Sequence, residues 1–561
     1  MIHKQVPVLR NAIRPLCLTL IIRIDLTMLP WGHRKKHENS VLTESWRQKL
    51  NSTGTVIVIQ THQSDMGKQS TILTLAAIAL DPSCGIPLHR QLYDIVRNAI
   101  LERKLTAGAR LPSTRALAAE LKISRTTVIN AFDQLLAEGY IDGKTGSGTF
   151  VAASLPDDLL RVRARATSMV RRPAKRRTIS RRGMLWASTA ASFIEDEGKP
   201  RAFQPGLPSI DDFPFDIWSR MISKRWRYPL SELACYGSAA GYRPLRDAIA
   251  NYVQLARGVR CEPEQVIIVA GSQQGLDMVA RVLLDPGDPA WIEDPCYRGA
   301  CGALLGAGAR LVPVRVDEHG LDVAAGESAC REARVAYVTP SHQYPLGVTM
   351  SLARRLALLD WATRCSAWII EDDYDSEYQY TGRPLAALQG LDKEERVIYI
   401  GTFSKVLFPS LRLGYLIVPS NLVDTFSAAH SHTACFCPLI EQVVLAEFIT
   451  EGHFSRHIRR MRRLYEDRQA VLVQSASSEL GRLLEVSPAR AGMHLIGWLP
   501  NAMNDQAVSR RAAKAGVDVR PLSFYCIEAT QRAGLLLGYT GVPVTEIRLA
   551  VRKLANILRS F

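Results

Sequence analysis

Nowhere in its 561 residues does the sequence carry an apolar run near the roughly 20 residues that crossing a bilayer requires. The nearest attempt, "LCLTLII" at 16–22, runs straight into Arg23 and Asp25. Basic residues precede it, but no small-residue cleavage pattern follows, so it does not read as a signal peptide. A soluble, cytoplasmic protein with no membrane partner is expected. Cysteine supplies no motif either, since the 11 residues are odd in number and scattered. The closest pair, Cys435 and Cys437, lacks the two-residue gap of zinc knuckles and redox motifs; reduced thiols and no metal are expected. No internal repeat is present. Acidic residues are the scarcer charge, 54 Asp and Glu against 70 Lys and Arg, for a net charge of +16. That balance favours an anionic partner, nucleic acid above all.

What the chain does have is length for two or three domains and a 47% hydrophobic share, enough for a substantial core. Residues 1–79 form an irregular N-terminal extension without sustained periodicity. Met66 opens "MGKQSTILTLAAIALD", and the 65 residues before it read as a disordered arm or an over-extended reading frame. Residues 80–152 read as a compact small domain. A basic linker, 153–200, holds the arginine-dense "RVRARATSMVRRPAKRRTISRRG", either a solvated tether or an arm that touches DNA phosphates. In 201–561 short apolar runs alternate with helical patterns, as in α/β domains.

In the small domain, Leu92, Ile95, Val96 and Ala99 recur at helical spacing. "PSTRALAAELKISRTTVINAFDQLLAEGYI" gives two more helices with a break at Lys122–Ile123, the second capped by Ser124. Val128, Ala131, Phe132 and Leu135 make its buried stripe. Arg125, Thr126, Thr127 and Asn130 fall mainly on its exposed side near the N-terminus, the end that enters the major groove in a helix-turn-helix. "YIDGKTGSGTFV" then reads as strand, glycine-rich turn and strand, a wing with Lys144 at its tip. A plain helical bundle is the alternative, and the wing argues against it. Through "PLHRQLYDIVRNAI", "RLPSTRALAAEL", "SRTTVINAFDQL", "AEGYI" and "GSGTFV" this stretch resembles the GntR-type winged helix-turn-helix. The resemblance implies double-stranded operator DNA as partner, with contacts from Arg115, Arg125, Thr127 and Gly148.

The large domain centres on one lysine. In "YIGTFSKVLFPSLRLGY" an apolar strand ends beside small hydroxyls, and Lys405 follows. An amine there is useful where it condenses with an aldehyde, which points to pyridoxal phosphate. That cofactor asks for an anion at its ring nitrogen and for an arginine fork and free helix N–H groups at its phosphate. Asp372, at the acidic end of the strand in "AWIIEDDYDSEY", can meet the first need. Arg412 and the helix start at Ser272 and Gln273 can meet the second. An ordinary surface lysine is the better reading of any lone lysine; the four segments together reverse it.

Through "YGSAAGYRPLRDAIANY", "AGSQQGLD", "EDPCYRGA", "TPSHQYPLG", "IIEDDYDSEY" and "TFSKVLFPSLRLGY" the region resembles class I aminotransferases of fold type I. The resemblance implies an α/β fold and pyridoxal 5'-phosphate in a Schiff base with Lys405. It places Asp372 at the ring nitrogen, Tyr374 at the ring oxygen, Tyr297 stacked on the ring, and Ser272, Gln273, Thr402 and Arg412 at the phosphate. Tyr236 would reach the partner subunit's site, implying a homodimer. Two positions depart from the family: Leu536, with Arg532 nearby, stands where the arginine for a substrate carboxylate is expected, and Tyr344 replaces an asparagine. A winged helix joined through a linker to such a domain resembles the MocR family of bacterial regulators. That implies transcriptional control governed by pyridoxal phosphate itself or by an amino acid or amine, serving vitamin B6 or amino-acid and amine metabolism. An active aminotransferase carrying a DNA-binding appendage, or residual transaminase activity, is the alternative.

Overall fold

The computed structural model describes residues 80–144, 148–153, 179–188, 200–228, 231–382, 385–500, 503–528 and 532–561. The expectations for residues 1–79 lie outside them, as do the tip of the wing and most of the linker. The chain divides into two compact units between Arg176 and Arg177.

The first unit is built on three helices, α1 (Leu88–Leu101), α2 (Thr114–Leu121) and α3 (Arg125–Ala137), and a hairpin of β1 (Ile141–Lys144) and β2 (Gly148–Val151). Leu92, Val96, Ala99 and Ile100 of α1 are buried, with Ile95 only half so; Tyr93 joins the core instead. Lys122 adopts a left-handed conformation, which turns the chain between α2 and α3. Val128, Ala131, Phe132 and Leu135 are buried, as the periodicity predicts. The hairpin is antiparallel, with Lys144 opposite Gly148.

The second unit holds an eight-stranded sheet and a smaller four-stranded one. The large sheet contains β3 (Val266–Val269), β4 (Pro289–Asp294), β5 (Arg310–Asp317), β6 (Gly320–Leu321), β7 (Val335–Val338), β8 (Trp368–Asp373), β9 (Val397–Thr402) and β10 (Gly414–Ile417). Their order is β3-β10-β9-β8-β7-β4-β5-β6. Strands β4, β5, β7, β8 and β9 run parallel, and β10 runs antiparallel to both of its neighbours. Buried on both faces, β3 and β9 read as nearly continuous apolar runs rather than as alternations, and β8 opens on one before its acidic end. The parallel strands all end on one edge, where an open α/β sheet forms its crevice.

The small sheet contains β11 (Glu485–Val486), β12 (His494–Trp498), β13 (Arg520–Pro521) and β14 (Gly534–Gly538), ordered β11-β12-β14-β13 and antiparallel throughout. One face packs on the helices His453–Glu479 and Val544–Leu558 through Leu495, Leu535 and Leu537. Leu536, on the other face, joins Ile496, Leu522 and Tyr525. Inside the stretch expected as linker, a helix spans Arg181–Ser188 and belongs to this second unit. Its Trp186 lies against Gly306, where an added Cβ would fall 2.3 Å from the indole nitrogen.

Candidate functional site

Loops leaving the carboxyl ends of β4, β7, β8 and β9 bring the expected residues to one edge of the large sheet. Lys405 follows β9 and donates from Nζ to the carbonyl of Gly206 at 2.9 Å. Gly206 has φ +70°, and a Cβ there would lie 2.8 Å from Nζ, so the position needs glycine twice over. Burial lowers the pKa of the amine, against the pull of Asp375 and Asp372. A depressed pKa enriches the neutral, nucleophilic form.

Two adjacent carboxylates at the end of β8 have opposite fates because successive strand residues face opposite sides. Asp373 turns into the body of the domain, paired with Arg257 at 2.8 Å and accepting from Tyr399 at 2.5 Å. Burial pushes its pKa up, but Arg257 and those hydrogen bonds outweigh it and hold it low. Asp372 accepts from Tyr337 at 2.9 Å on Oδ2, while Oδ1 is buried with no partner among the described residues. Burial, aided by the charge of Asp373, pushes its pKa to about 7. A buried carboxylate oxygen with an open lone pair calls for a cationic donor.

Beside it, Tyr297 starts the helix Arg298–Ala307 and donates to Gln273 Oε1 at 3.3 Å. Cys296 and Cys301, sulfurs 3.1 Å apart, bracket that helix start from both sides. The helix Ser272–Leu283 begins from Gly271, φ +85°, without a side-chain cap among the described residues. Arg412 lies across this end, donating to the Ala270 carbonyl at 2.9 Å with its guanidinium 3.5 Å from where a Gly271 Cβ would be. Thr402, buried at the end of β9, accepts from the Ser404 N–H at 3.2 Å. Tyr374 contacts His342 Nδ1 at 2.9 Å. Tyr236 is not brought to this edge of its own chain; it projects outward, 93% exposed, against Phe436.

The two departures also have places. Tyr344 stands edge-on to both Tyr297 and Tyr374 and donates to the Tyr525 hydroxyl at 3.1 Å. Leu536 is fully buried in β14, and Arg532 turns away to pair with Glu485 at 2.6 Å. Sequence reasoning missed the residue opposite Leu536. Arg520 of β13 is its direct register partner, and its charge reaches both Tyr344 and Tyr525. Paired residues share a sheet face, so an arginine stands one strand over from the position where one is lacking. His342, Tyr337 and Asp375 were missed as well.

In the first unit, Ser124 caps α3 by accepting from the Thr127 N–H at 3.1 Å, and the two hydroxyls lie 2.8 Å apart. Arg115, Arg125, Thr126 and Asn130 are exposed. Thr127, half-buried, is partly committed to the cap. Lys144 ends β1 as expected, and Gly148 has φ +111° with the Arg110 guanidinium against it. Arg110 thus adds a cation to the wing that the motif did not show.

Among the described residues no cluster of side chains could hold a metal ion, and no helix is long and apolar enough to cross a membrane.

Residues 88–151 match the family of bacterial regulatory proteins called gntR, and residues 222–540 match aminotransferase class I and II. The chain is 44% identical over 482 residues to the probable rhizopine catabolism regulatory protein MocR of Rhizobium meliloti, covering 85% of this chain and 95% of that protein. It is 30% identical over 479 residues to the HTH-type pyridoxine biosynthesis transcriptional regulator PdxR of Corynebacterium glutamicum, covering 85% and 98%. Among solved structures, LysN, an alpha-aminoadipate aminotransferase from Thermus thermophilus complexed with N-(5'-phosphopyridoxyl)-L-leucine, matches with a TM-score of 0.59 at 30% identity. That match covers 64% of this chain and 92% of the other. With both domains matched in order and a relative spanned almost end to end, the chain belongs to the MocR family of transcriptional regulators, a gntR-type DNA-binding domain followed by an aminotransferase-like domain.

Proposed function

We propose that the large domain of this regulator binds pyridoxal 5'-phosphate at Lys405, as cofactor or effector, and that occupancy of the site governs operator binding. The buried, unpartnered Oδ1 of Asp372 carries the reading, because a protonated ring nitrogen is the kind of donor it lacks. When bound, the cofactor supplies an aldehyde carbon for an amine and an electron-withdrawing ring. Lys405 offers the amine, and Gly206 holds it in place until then. Asp372 would face the ring nitrogen, Tyr374 the ring oxygen, and Tyr297 would stack on the ring. Arg412, Thr402, Ser272 and Gln273 would hold the phosphate, where the uncapped helix start would add backbone donors.

The outward Tyr236 fits a homodimer in which each subunit completes the other's site. In the small domain, Arg115, Arg125, Thr126 and Thr127, with Ser124 fixing the helix start, would meet the major groove, and Lys144 and Gly148 the backbone. The effector is pyridoxal phosphate itself or an amino acid or amine that joins it there, and vitamin B6 or amine metabolism is the field of control. Arg520, opposite Leu536 and paired with Asp518 at 3.3 Å, is the cation that would have to exchange that partner for an acidic group on such an effector. Whatever the ligand, it shifts operator binding only by as much as its affinity differs between two conformations.

The test is an absorbance spectrum of the purified protein with pyridoxal phosphate, for wild type and Lys405→Ala, followed by a panel of amino acids and an operator-binding titration. A visible band absent from Lys405→Ala, and an operator affinity that changes with cofactor, are expected. A band that amino acids bleach catalytically would instead make the protein an aminotransferase. No band in the wild type would overturn the cofactor reading.

A further inference from the structure

Behind Tyr374 lies a buried pair, His342 and Asp375, that cofactor binding does not itself account for. His342, 2% exposed, follows β7 in "TPSHQYPLG". Its Nδ1 lies 2.9 Å from Asp375 Oδ2 and 2.9 Å from the Tyr374 hydroxyl oxygen. Asp375 is 1% exposed. With Asp375 as a carboxylate, which can only accept, the proton between the two sits on Nδ1. That N–H then faces two acceptors, Asp375 Oδ2 and the Tyr374 oxygen. The phenol oxygen is therefore already taken as an acceptor on the side of His342, and its own proton has to point elsewhere.

The imidazole is held tightly enough for this to matter. Gly492 has φ +98°, and a Cβ there would fall 2.0 Å from the imidazole Cε1; one at Gly347 would lie 3.1 Å from Nε2. The ring of His494 packs on it at 5.2 Å. His494 donates from Nε2 to the Pro345 carbonyl at 2.9 Å, and burial holds its pKa well below the usual range, so it is neutral and contributes no competing charge. The titratable groups around the pair are Tyr374, Tyr378 and Tyr380 from the segment after β8, Asp372 at the end of that strand, His494 from β12, Tyr539 after β14 and Tyr344 from the loop of His342 itself. Lys405, after β9, is close enough to feel the charge of Asp375.

We propose that Asp375 and His342 form a positioning pair that fixes the Tyr374 hydroxyl as a hydrogen-bond donor into the Lys405 pocket, toward the ring oxygen of the bound cofactor. The inference rests on the cofactor reading given above. Without the pair, the phenol is free to donate to the imidazole and loses its direction. A donor at the ring oxygen stabilises the anionic form of that oxygen and lowers the proton affinity of the Lys405 nitrogen joined to the cofactor. The pair acts through Tyr374 and touches no reacting atom.

The test is a pH titration of the visible absorbance of the full-length protein loaded with pyridoxal phosphate. Tyr374→Phe and His342→Phe should each raise the midpoint, by roughly one pH unit. His342→Asn, whose amide N–H replaces that on Nδ1, should titrate as wild type. The double variant His342→Phe/Tyr374→Phe should match Tyr374→Phe alone, because residues acting in series are not additive. Asp375→Asn, which frees the Nδ1 tautomer without changing shape, should move the midpoint in the same direction and decides the matter if His342→Phe does not fold. A His342→Phe or Asp375→Asn protein that binds cofactor and titrates as wild type overturns the pair. So does a double variant whose shift is the sum of the two. A wild type with no visible band fails at the earlier reading, a distinct outcome.

Discussion

Two helices of this protein start from a serine-bearing turn and treat their first backbone N–H groups in opposite ways. In α3, Ser124 accepts from the Thr127 N–H, and Thr127 also faces Ser124 with its hydroxyl. One of that end's orphan N–H groups is satisfied internally, and the side chains it offers outward are Arg125, Thr126 and Asn130. In the helix Ser272–Leu283 the residue before the first turn is Gly271, which has no side chain to give, and Arg412 lies beside it. That end offers its backbone donors together with a guanidinium. The sealed start suits a surface that reads a long polymer by side-chain identity. The open start suits one small dianion that must be gripped from several directions at once.

Substitutions can sharpen or break this contrast. The largest effect is expected for Arg412→Ala, which should weaken pyridoxal phosphate binding by about 100-fold, or about 3 kcal/mol, in an absorbance titration. Operator affinity at saturating cofactor should stay near wild type. Arg125→Ala should cost about 1–3 kcal/mol of operator affinity and leave the cofactor spectrum intact; a drop in the salt slope without relaxed sequence preference would make its contact a phosphate. Next come the two serines. Ser124→Ala should cost about 1 kcal/mol of local stability, seen as faster hydrogen exchange in α3. Ser272→Ala should leave the exchange of its own helix within about 0.5 kcal/mol of wild type while weakening cofactor binding. The reverse pattern would end the comparison.

The last expected effect is a slope with pH rather than a fold-change. Burial holds Asp372, Glu293, Glu371 and Glu377 each at a pKa of about 7. These groups bind protons in the folded chain that the unfolded chain has already released above about pH 4. Their contribution is therefore complete at low pH and is lost as pH rises through the folded values. Cofactor-free protein should lose stability between about pH 4 and about pH 7, and Asp372→Asn should flatten that decline in thermal unfolding scans. Saturating cofactor should flatten it too, by giving Asp372 a cation.

Much of this was legible in the sequence where the signal is local. The strand Val266–Val269, the helix after it, and the acidic end of β8 follow from apolar runs and helical spacing. So do Ser124 as a cap and Lys405 beside a strand end. The parts that stayed hidden depend on which distant segments pair. Nothing local links His342 to Asp375, 33 residues on, or Arg520 to Leu536. Trp186 follows directly on the arginine-rich stretch of the linker, yet it finds Gly306. Tyr93 rather than Ile95 fills the core beside Leu92 because burial on a short helix follows its neighbours as much as its spacing.

The edge position of Arg520 sets how this protein can diverge. Position 536 lies in β14, bonded on both sides, so its direction is locked by two registers. Position 520 lies in a two-residue strand at the border of the sheet. A single residue gained or lost in the loop before it would slip that strand by one and swing the guanidinium to the opposite face. A charge carried there can be withdrawn or restored by loop length alone, with the sheet untouched. If Arg520 meets the effector as proposed, ligand preference can drift through insertions and deletions in that loop as well as through substitution of the arginine itself.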